Sequence, residues 1–266
     1  MRPLSSWRPP RPLVGVFTDI DDTLTTKGAI TGDALQALAD LKAAGLLVVP
    51  ITGRPVGWSE PFAKRWPVDA IVAENGAVGL QPSTPDGLRK IYQQDPATRR
   101  DHFARLQQML THIEHTVPGA QRARDSAGRE TDIAIDHSEF TALPEVGIQQ
   151  VVHLMQAHGM SATVSSIHIN GWWGSHNKLT GARWIVRELW GRDLDAEQAQ
   201  WVYVGDSSND QVMFEYFENS VGVANLLHCV AQLSHLPRYI TSHERGAGFA
   251  ELTRHVLAAL HRPSPL

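Results

Sequence analysis

The sequence has 266 residues and a formal net charge of −4, with 42% hydrophobic and 20% charged residues. This balance gives no electrostatic basis for binding nucleic acid or an anionic membrane. No apolar run approaches the roughly 20 residues that cross a bilayer. The single cysteine, Cys229, excludes an intramolecular disulfide and favours a reducing compartment. We therefore expect a cytoplasmic protein that is a monomer or a homodimer.

The first residues carry no periodic apolar pattern. Residues 1–12 include three arginines and four prolines, a composition typical of a flexible, partly polyproline-like tail. We predict that the folded part begins after this tail.

Four short apolar runs end abruptly in polar residues, at residues 13–17, 46–51, 70–73 and 201–204. Such runs are typical of strands that are buried on both faces of a parallel sheet. Apolar residues recur at helical spacing over residues 31–44 and again after Lys178. Strands that alternate with helices predict an α/β fold with a Rossmann-like, doubly wound parallel sheet as its core.

The middle of the chain departs from this alternation. Residues 82–87 are rich in Pro, Ser, Thr and Gly and predict a linker. After them the pattern predicts helices over 98–115 and 143–158, each followed by a strand pair, at 120–124 with 130–136 and at 161–165 with 167–173. This order predicts an inserted α+β cap domain (αββαββ) at residues 83–173. The core is then discontinuous, with segments 1–82 and 174–266.

Polar residues follow three of the predicted core strands directly: Asp19, Thr52 and Asp206. A single Asp or Thr after a strand is usually a turn or helix-cap residue. In an open parallel sheet, however, ligands bind beyond the carboxyl ends of the strands. If these strands are neighbours, the three side chains surround one point.

Asp19 and Asp21 lie two residues apart, and Asp206 and Asp210 lie four apart. Carboxylates so close together repel each other and need a shared proton or a cation. Oxygen ligands of this kind suit Mg²⁺. One carboxylate can also serve as a nucleophile and a second one as general acid and base. The cluster therefore predicts metal-assisted phosphoryl transfer.

Gly53, Arg54 and Lys178, together with Thr52, complete the candidate centre. Thr52 offers a hydroxyl, and Gly53 lets the backbone approach a phosphate closely. For Arg54 two interpretations stay open, a contact with the anionic substrate or a solvated surface charge. Lys178 opens a predicted helix, an end at which the helix dipole disfavours a cation, so we expect an anionic neighbour such as Asp19 with the phosphate.

The ordered set of DIDDT at residues 19–23, Thr52, Lys178 and GDSSND at residues 205–210 resembles the four motifs of the haloacid dehalogenase superfamily. The inserted unit is similar to the cap of its Cof-type branch, which includes the sucrose-phosphate, trehalose-phosphate and mannosyl-phosphoglycerate phosphatases. One departure is Asp22, where the family usually has glycine. Its side chain either tunes the site or points to solvent.

The resemblance implies a role for each matching residue. Asp19 is the nucleophile and Asp21 the general acid and base, a residue that a dehalogenase does not need. Lys178 neutralises the charge of Asp19 and the phosphate. The substrate-binding candidates are Thr52, Gly53, Arg54 and Asn209. Mg²⁺ is implied as cofactor, with Asp19, the backbone carbonyl of Asp21, Asp206 and, in support, Asp210 as its ligands.

Cap residues carry weaker signals. His168 and Asn170, on the last predicted cap strand, either contact the substrate or form plain surface. Arg122, Arg124 and Arg129 flank the first cap hairpin and either bind a second anionic group or protect a solvated strand edge.

Three functions are consistent with these residues. The first is a Mg²⁺-dependent phosphatase acting on a small phosphate monoester, with a sugar phosphate or sugar-acid phosphate as the expected substrate. The second is a phosphomutase of the phosphomannomutase type. The third is a non-catalytic binding protein that keeps the fold, although the presence of all four motifs argues against it.

Overall fold

The computed structural model describes residues 1–9, 12–83 and 87–260. The strands are β1 (Arg2–Pro3), β2 (Gly15–Thr18), β3 (Thr25–Thr26), β4 (Ala29–Ile30), β5 (Leu47–Pro50), β6 (Ile71–Ala73), β7 (Val78–Ser83), β8 (Gly87–Tyr92), β9 (Gln121–Arg122), β10 (Ile133–Asp136), β11 (Ser161–Val164), β12 (His168–Trp172), β13 (Trp201–Gly205), β14 (Ser220–Gly222) and β15 (Tyr239–Ile240). The helices are α1 (Gly32–Ala43), α2 (Val56–Arg65), α3 (Pro96–Thr116), α4 (Glu145–Ala157), α5 (Lys178–Trp190), α6 (Leu194–Glu197), α7 (Gln211–Tyr216) and α8 (Arg245–Leu260). In this described part of the chain, no helix combines the length and the apolar character needed to span a membrane.

The core is a six-stranded parallel sheet in the order β1-β15-β14-β13-β2-β5. Successive residues of a strand point to opposite faces, so Val16 joins the apolar cluster on one face and Phe17 the cluster on the other. Helices α1 and α8 cover the first face, and α5 and α7 cover the second. The prediction of a doubly wound α/β core is thus confirmed.

The cap is a four-stranded antiparallel sheet in the order β11-β12-β10-β9. Helices α3 and α4 pack on one face of it, in a separate apolar cluster that includes Leu110, Val151 and Ile169. The neighbouring strand residues His168 and Asn170 are buried as well, but they lie on the other face, which contacts the core. The αββαββ order predicted from the sequence is present.

The predicted linker over residues 82–87 and the cap boundary at residue 83 are wrong. Ser83 ends β7 and Gly87 begins β8, and these strands form an antiparallel hairpin that pairs with β6. Leu80 and Leu88 pack in the main core cluster. Pro, Ser and Gly here belong to a hairpin that extends the core, and residues 84–86 at its tip lie outside the described residues.

The prediction of a flexible tail over residues 1–12 is also wrong for the described part of that segment. Strand β1 pairs in parallel with β15 at the edge of the main sheet. Trp7 is 1% exposed, its Nε1 donates to Asn219 Oδ1 at 3.0 Å, and its ring stacks on His255. A single tryptophan buries a large apolar area, and this long-range packing leaves no trace in the local composition.

A buried carboxylate fastens one edge of the cap to the core. Glu74, directly after β6, accepts hydrogen bonds from the backbone N–H groups of Val56 and Thr131 and from the hydroxyl of Thr131. The N–H of Glu130 donates to the same carboxylate. Since an unpaired buried donor costs about 1–3 kcal/mol, the three cap donors at residues 130–131 hold this edge firmly.

The chain returns from the cap to the core through residues 173–177. Trp172 is fully buried, its Nε1 donates to the carbonyl of His176 at 2.9 Å, and the two rings stack with centroids 5.3 Å apart. Burial, with repulsion from His102 in addition, lowers the pKa of His176 to about 4. His176 is therefore neutral at physiological pH and is part of the hinge packing.

This pKa predicts a specific loss of stability in acid. The unfolded chain binds a proton at His176 below about pH 6.5, whereas the folded chain does so only below about pH 4. The contribution of the neutral His176 ring to the free energy of unfolding is therefore complete above pH 6.5. It decreases as the pH falls, by up to about 2 kcal/mol between pH 8 and pH 5. Urea unfolding of wild type and His176→Gln at both pH values should show a smaller pH dependence in the variant.

A matched control is His115→Gln, which removes an exposed histidine of α3. This control should keep the pH dependence of the wild type. Equal pH dependence in wild type and His176→Gln would show that His176 does not carry the effect.

Candidate active site

The three strand-end residues converge as predicted. Strand β2 lies between β13 and β5 in the sheet, so Asp19, Thr52 and Asp206 follow neighbouring strands at the same edge. The backbone N–H of Asp19 donates to the carbonyl of Val204 on β13, and that of Ile51 donates to Thr18. The sheet register thus places these side chains together.

Lys178 lies at the centre of the site. Its Nζ is 2.6 Å from Asp19 Oδ1 and 2.6 Å from Asp210 Oδ1, and its side chain is 1% exposed. Asn177 and Thr180 form a capping box that starts α5 at this residue. Burial opposes the charged form, but Asp19 and Asp210 raise the pKa of Lys178 above its ordinary value. The anionic neighbour that the helix position predicts is therefore present.

Three buried carboxylates lie close together around Lys178. Oxygen atoms of Asp19, Asp206 and Asp210 lie within 4.8 Å of one another, and all three residues are buried. Burial raises the pKa of Asp19 to about 7 although Lys178 opposes the shift. Burial, with the charges of Asp19 and Asp210, raises the pKa of Asp206 well above its ordinary value. A cation relieves such repulsion, so this set of oxygen donors fits Mg²⁺.

Asp206 and Asp210, which lie four residues apart, have different hydrogen-bond partners. Asp210 Oδ2 accepts the backbone N–H groups of Asp206 and Ser207, and its Oδ1 accepts from Lys178 and from the hydroxyl of Tyr203. Both oxygens are thus occupied, which suits the supporting role expected of Asp210. Asp206 instead accepts one hydrogen bond at 3.0 Å, from Asn225 Nδ2, and a longer one at 3.4 Å from Thr23. It has more capacity left for a metal.

The predicted substrate-binding residues surround one small closed cavity of about 10 Å³. This volume is about that of a single water probe, so the cap is closed over the site. Thr52 Oγ1 accepts the backbone N–H of Arg54 at 3.0 Å, which leaves its own proton free to be donated. The lining residues are Asp19, Asp21, Thr52, Gly53, Arg54, Ser165, Ile167, His168, Asn170 and Asn209.

Arg54 joins the core to the cap. It is 4% exposed, so the interpretation as a solvated surface charge is wrong. Its Nε and Nη2 donate to Asp21 at 2.9–3.0 Å, Nη2 donates to Glu139 of the cap at 2.7 Å, and Nη1 donates to Asp125 at 3.2 Å. In this closed arrangement its donors serve carboxylates of the protein, and Asp21 is held by them.

Two cap residues predicted as substrate contacts have protein partners as well. His168 Nε2 lies 2.9 Å from Glu139 Oε2. Burial opposes ionisation of Glu139, but the contacts with His168 and Arg54 lower its pKa to about 2. Asn170 Nδ2 donates to the carbonyl of Gly53 and to Asp132. Neither residue is plain surface.

Asp22 occupies the position where the related motif has glycine. Its φ is 52°, in the left-handed region that glycine tolerates best. Arg245 Nε donates to its carboxylate at 2.8 Å, and Asn225 donates to its carbonyl. The ion pair with Arg245 keeps the side chain from pointing freely into solvent, and its charge contributes to the raised pKa of Asp206.

Several residues of the site have no local sequence signal. Tyr203 reads as part of an apolar strand, and Asn225 and Arg245 lie outside the recognised motifs. Glu139 and Asp132 contact residues 85 and 38 positions away in the sequence. The one available hint was the arginine group around the cap hairpin, which included Arg129.

The comparisons with known proteins agree with the motifs. Residues 16–104 match the family model of haloacid dehalogenase-like hydrolases. No curated protein sequence matches the chain significantly. Many solved structures are similar in fold.

Three solved structures illustrate this similarity. A Thermoplasma acidophilum protein is 14% identical with a TM-score of 0.68, covering 91% of this chain and 98% of its own. The sucrose-phosphatase of Synechocystis, in complex with sucrose and phosphate, is 19% identical with a TM-score of 0.64 and coverages of 91% and 97%. A Bacteroides thetaiotaomicron protein described among the phosphatases of the haloalkanoate enzyme superfamily is 18% identical, with a TM-score of 0.60 and coverages of 95% and 99%. These structures support the fold, and the match of residues 16–104 to the family model confirms the resemblance to haloacid dehalogenase-like hydrolases.

The acid cluster predicts a measurable effect of Mg²⁺ on stability. A ligand present at 100 times its Kd stabilises the folded state by about 2.7 kcal/mol, so Mg²⁺ should raise the Tm of the wild type. Asp206→Asn keeps the shape of the side chain and removes one ligand charge from a repelling cluster. The Tm without metal should therefore not fall, while the increase caused by Mg²⁺ should disappear in a thermal-shift titration.

The control variant is Asp101→Asn, an exposed carboxylate on α3, which should retain the full increase. An undiminished effect of Mg²⁺ on Asp206→Asn would exclude this cluster as the metal site.

Proposed function

We propose that this chain, which has the fold of the haloacid dehalogenase-like hydrolases, is a Mg²⁺-dependent phosphatase of small phosphate monoesters. The observation that carries the proposal is the contact between Asp19, which lines the small cavity, and the buried Lys178 behind it. A buried carboxylate is held there beside a buried ammonium group. Thr52 and Gly53 line the same cavity as Asp19, and their polar groups suit phosphate oxygens.

The reaction proceeds in two balanced steps. Asp19 attacks the phosphorus atom, the bond between phosphorus and the alcohol oxygen breaks, and Asp21, which must enter this step in its protonated form, gives its proton to the departing alcohol. Water then attacks the aspartyl-phosphate and loses a proton to Asp21, the bond between phosphorus and Asp19 breaks, and inorganic phosphate leaves. Both steps need one carboxylate as nucleophile and one as acid and base, and both line the cavity.

The surrounding residues stabilise the charge that the phosphoryl group carries. Lys178 offers its ammonium group, and Thr52 offers a hydroxyl whose oxygen already accepts from the backbone. Bound by Asp19, Asp206 and the carbonyl of Asp21, with Asp210 in support, Mg²⁺ would supply further charge neutralisation. Hydrolysis of phosphate monoesters is so slow in water that the site must lower the barrier by about 20 kcal/mol or more, and preorganised charge is the means available.

The alcohol part of the substrate would lie on the side of Asp21. There a cavity of about 460 Å³ opens between the β3–β4 hairpin and the cap, bounded by Asp21, Arg54, Glu139, Phe140 and Lys27 among others. Its size suits a sugar or a sugar acid, which supports a sugar phosphate or sugar-acid phosphate as substrate. The sucrose and phosphate in the complex of the Synechocystis neighbour are consistent with this class. Cytoplasmic localisation and a monomeric or homodimeric state remain predictions.

A phosphomutase is the second candidate, and one observation favours it. The cap lies directly against the candidate phosphate loop, since Arg129 Nη1 and Asn170 Nδ2 donate to the carbonyl of Gly53, and a mutase needs such a tightly placed cap to keep water from its phosphorylated aspartate. Incubation with hexose 1- and 6-phosphates separates the two functions. Interconversion without release of phosphate identifies a mutase, and release of phosphate identifies a phosphatase.

The nucleophile gives the decisive mutation. Asp19→Asn keeps the size of the side chain but removes the attacking carboxylate, so Mg²⁺-dependent release of phosphate from p-nitrophenyl phosphate should fall by at least about 10⁴-fold in kcat. Asp101→Asn again serves as the control and should retain wild-type kcat. Activity that persists in a correctly folded Asp19→Asn protein would refute the proposed mechanism.

A further inference from the structure

A second buried polar cluster lies between cap and core, behind the candidate phosphate loop. Its members are Arg129, Asp132 and Asn170 from the cap and Asn75 from the core. Asp132 is 0% exposed and Asn170 is 1% exposed. No step of the proposed reaction uses this cluster.

Asp132 is the common acceptor of the cluster. Arg129 Nη1 donates to its Oδ1 at 2.8 Å, and Asn170 Nδ2 donates to its Oδ2 at 3.0 Å. Asn75 Nδ2 adds a longer contact at 3.4 Å. The carboxylate thereby fixes the orientation of the guanidinium and of the amide of Asn170.

The two oriented donors reach the core at the same atom. Arg129 Nη1 and Asn170 Nδ2 both donate to the backbone carbonyl of Gly53, at 3.1 Å and 3.3 Å. A β-carbon at Gly53 would lie 3.2 Å from Asn170 Oδ1 and 3.2 Å from Asn75 Oδ1. The cluster is therefore packed directly against the loop that would bind the phosphate.

This contact determines the direction of a peptide group. In a trans peptide the carbonyl and the N–H point in opposite directions. Because the carbonyl of Gly53 points to the cap, the following N–H, of Arg54, points to Thr52 Oγ1 and donates to it at 3.0 Å. Since that oxygen accepts from the backbone, the hydroxyl proton of Thr52 is available to a phosphate oxygen.

Stability alone gives no reason for the cluster. Burial, with repulsion from Glu74 in addition, raises the pKa of Asp132 to about 7 although Arg129 opposes the shift. Replacing a buried ion pair with apolar residues is often neutral or stabilising. A charged cluster at this point therefore suggests a task in the function of the protein.

We propose that Asp132 is a positioning residue for the phosphate site. Through Arg129 and Asn170 it orients the peptide between Gly53 and Arg54, and so directs the hydroxyl of Thr52 toward the phosphate. This inference rests on the proposed phosphatase function and adds to it a specific role for cap residues that need not touch the substrate. Disturbing Asp132 should weaken the binding of phosphate without weakening the binding of the metal.

The test uses the full-length protein and inorganic phosphate as the probe. Asp132→Asn preserves shape and removes the charge that orients both donors. With p-nitrophenyl phosphate as substrate, the inhibition constant of inorganic phosphate should rise about 10-fold, equivalent to about 1.4 kcal/mol. The Mg²⁺ concentration for half-maximal activity should stay within about twofold of the wild type, a split that general loosening of the fold would not produce.

The matched control is Glu114→Gln, which breaks an ion pair with Arg122 at the exposed side of the cap and should leave both constants unchanged. An unchanged phosphate inhibition constant in folded Asp132→Asn would overturn the inference. If Asp132→Asn does not fold, Asn170→Ala takes its place. It removes one of the two donors to Gly53 and keeps the pair of Asp132 with Arg129, so the phosphate constant should rise about fivefold, and an unchanged constant would overturn the inference.

The two proposals fail in different ways. Isothermal titration of the Mg²⁺-loaded wild type with phosphate should show binding. No binding of phosphate by the wild type, together with no hydrolysis, would refute the proposed function. Binding by the wild type that persists at equal strength in Asp132→Asn would refute only the positioning role.

Discussion

The site depends on one electrostatic imbalance: three buried carboxylates surround one buried ammonium group. Lys178 lies 2.6 Å from Asp19 and 2.6 Å from Asp210, but Asp206 adds a charge for which the described residues offer no second cation at this centre. Burial makes each of these charges expensive. The arrangement of strands, the start of α5 and the Tyr203 hydroxyl behind Asp210 all serve to hold this set together. Such a cluster needs a cation or a shared proton to offset its excess negative charge.

Much of the core and of the candidate centre could be predicted from the sequence because the signals are local. An apolar run that stops at a polar residue marks a strand end, and parallel strands bring their carboxyl ends to one edge. Asp19, Thr52 and Asp206 could therefore be placed together before any coordinates. Helix α5 followed from apolar residues at helical spacing after Lys178, and the unfavourable position of Lys178 against the helix dipole predicted an anionic neighbour. The layout of the cap followed from helical and alternating periodicity in the same way.

Most features of the fold and of the site that could not be predicted depend on contacts between residues that are distant in the sequence. Trp7 is buried by packing against Tyr239 and His255, which lie more than 200 residues away. Its local surroundings are rich in proline, and they therefore predicted a tail. Pro82 and Gly87 belong to the local β7–β8 hairpin; only the packing of its Leu80 and Leu88 in the main core cluster distinguishes its turn residues from those of a linker. The role of Arg54 depends on carboxylates that the fold brings from elsewhere, and that of Arg129 on the carbonyl of Gly53, 76 residues away. Charge alone does not distinguish a solvated arginine from one that joins two domains.

The anchoring of the cap by Glu74 limits how the closed site can admit a substrate. The bonds from Glu130 and Thr131 hold one side of the cap to the core, whereas the opposite side rests on contacts such as that of the Ser208 hydroxyl with the carbonyl of Val164. A movement that preserves the first set must leave residues 130–131 in place against the core. Loss of the contact between Ser208 and Val164 would instead widen the cleft of about 610 Å³ that already reaches Asp206. Substrate would thus enter the centre, and product would leave it, preferentially on the side of the metal-binding acids.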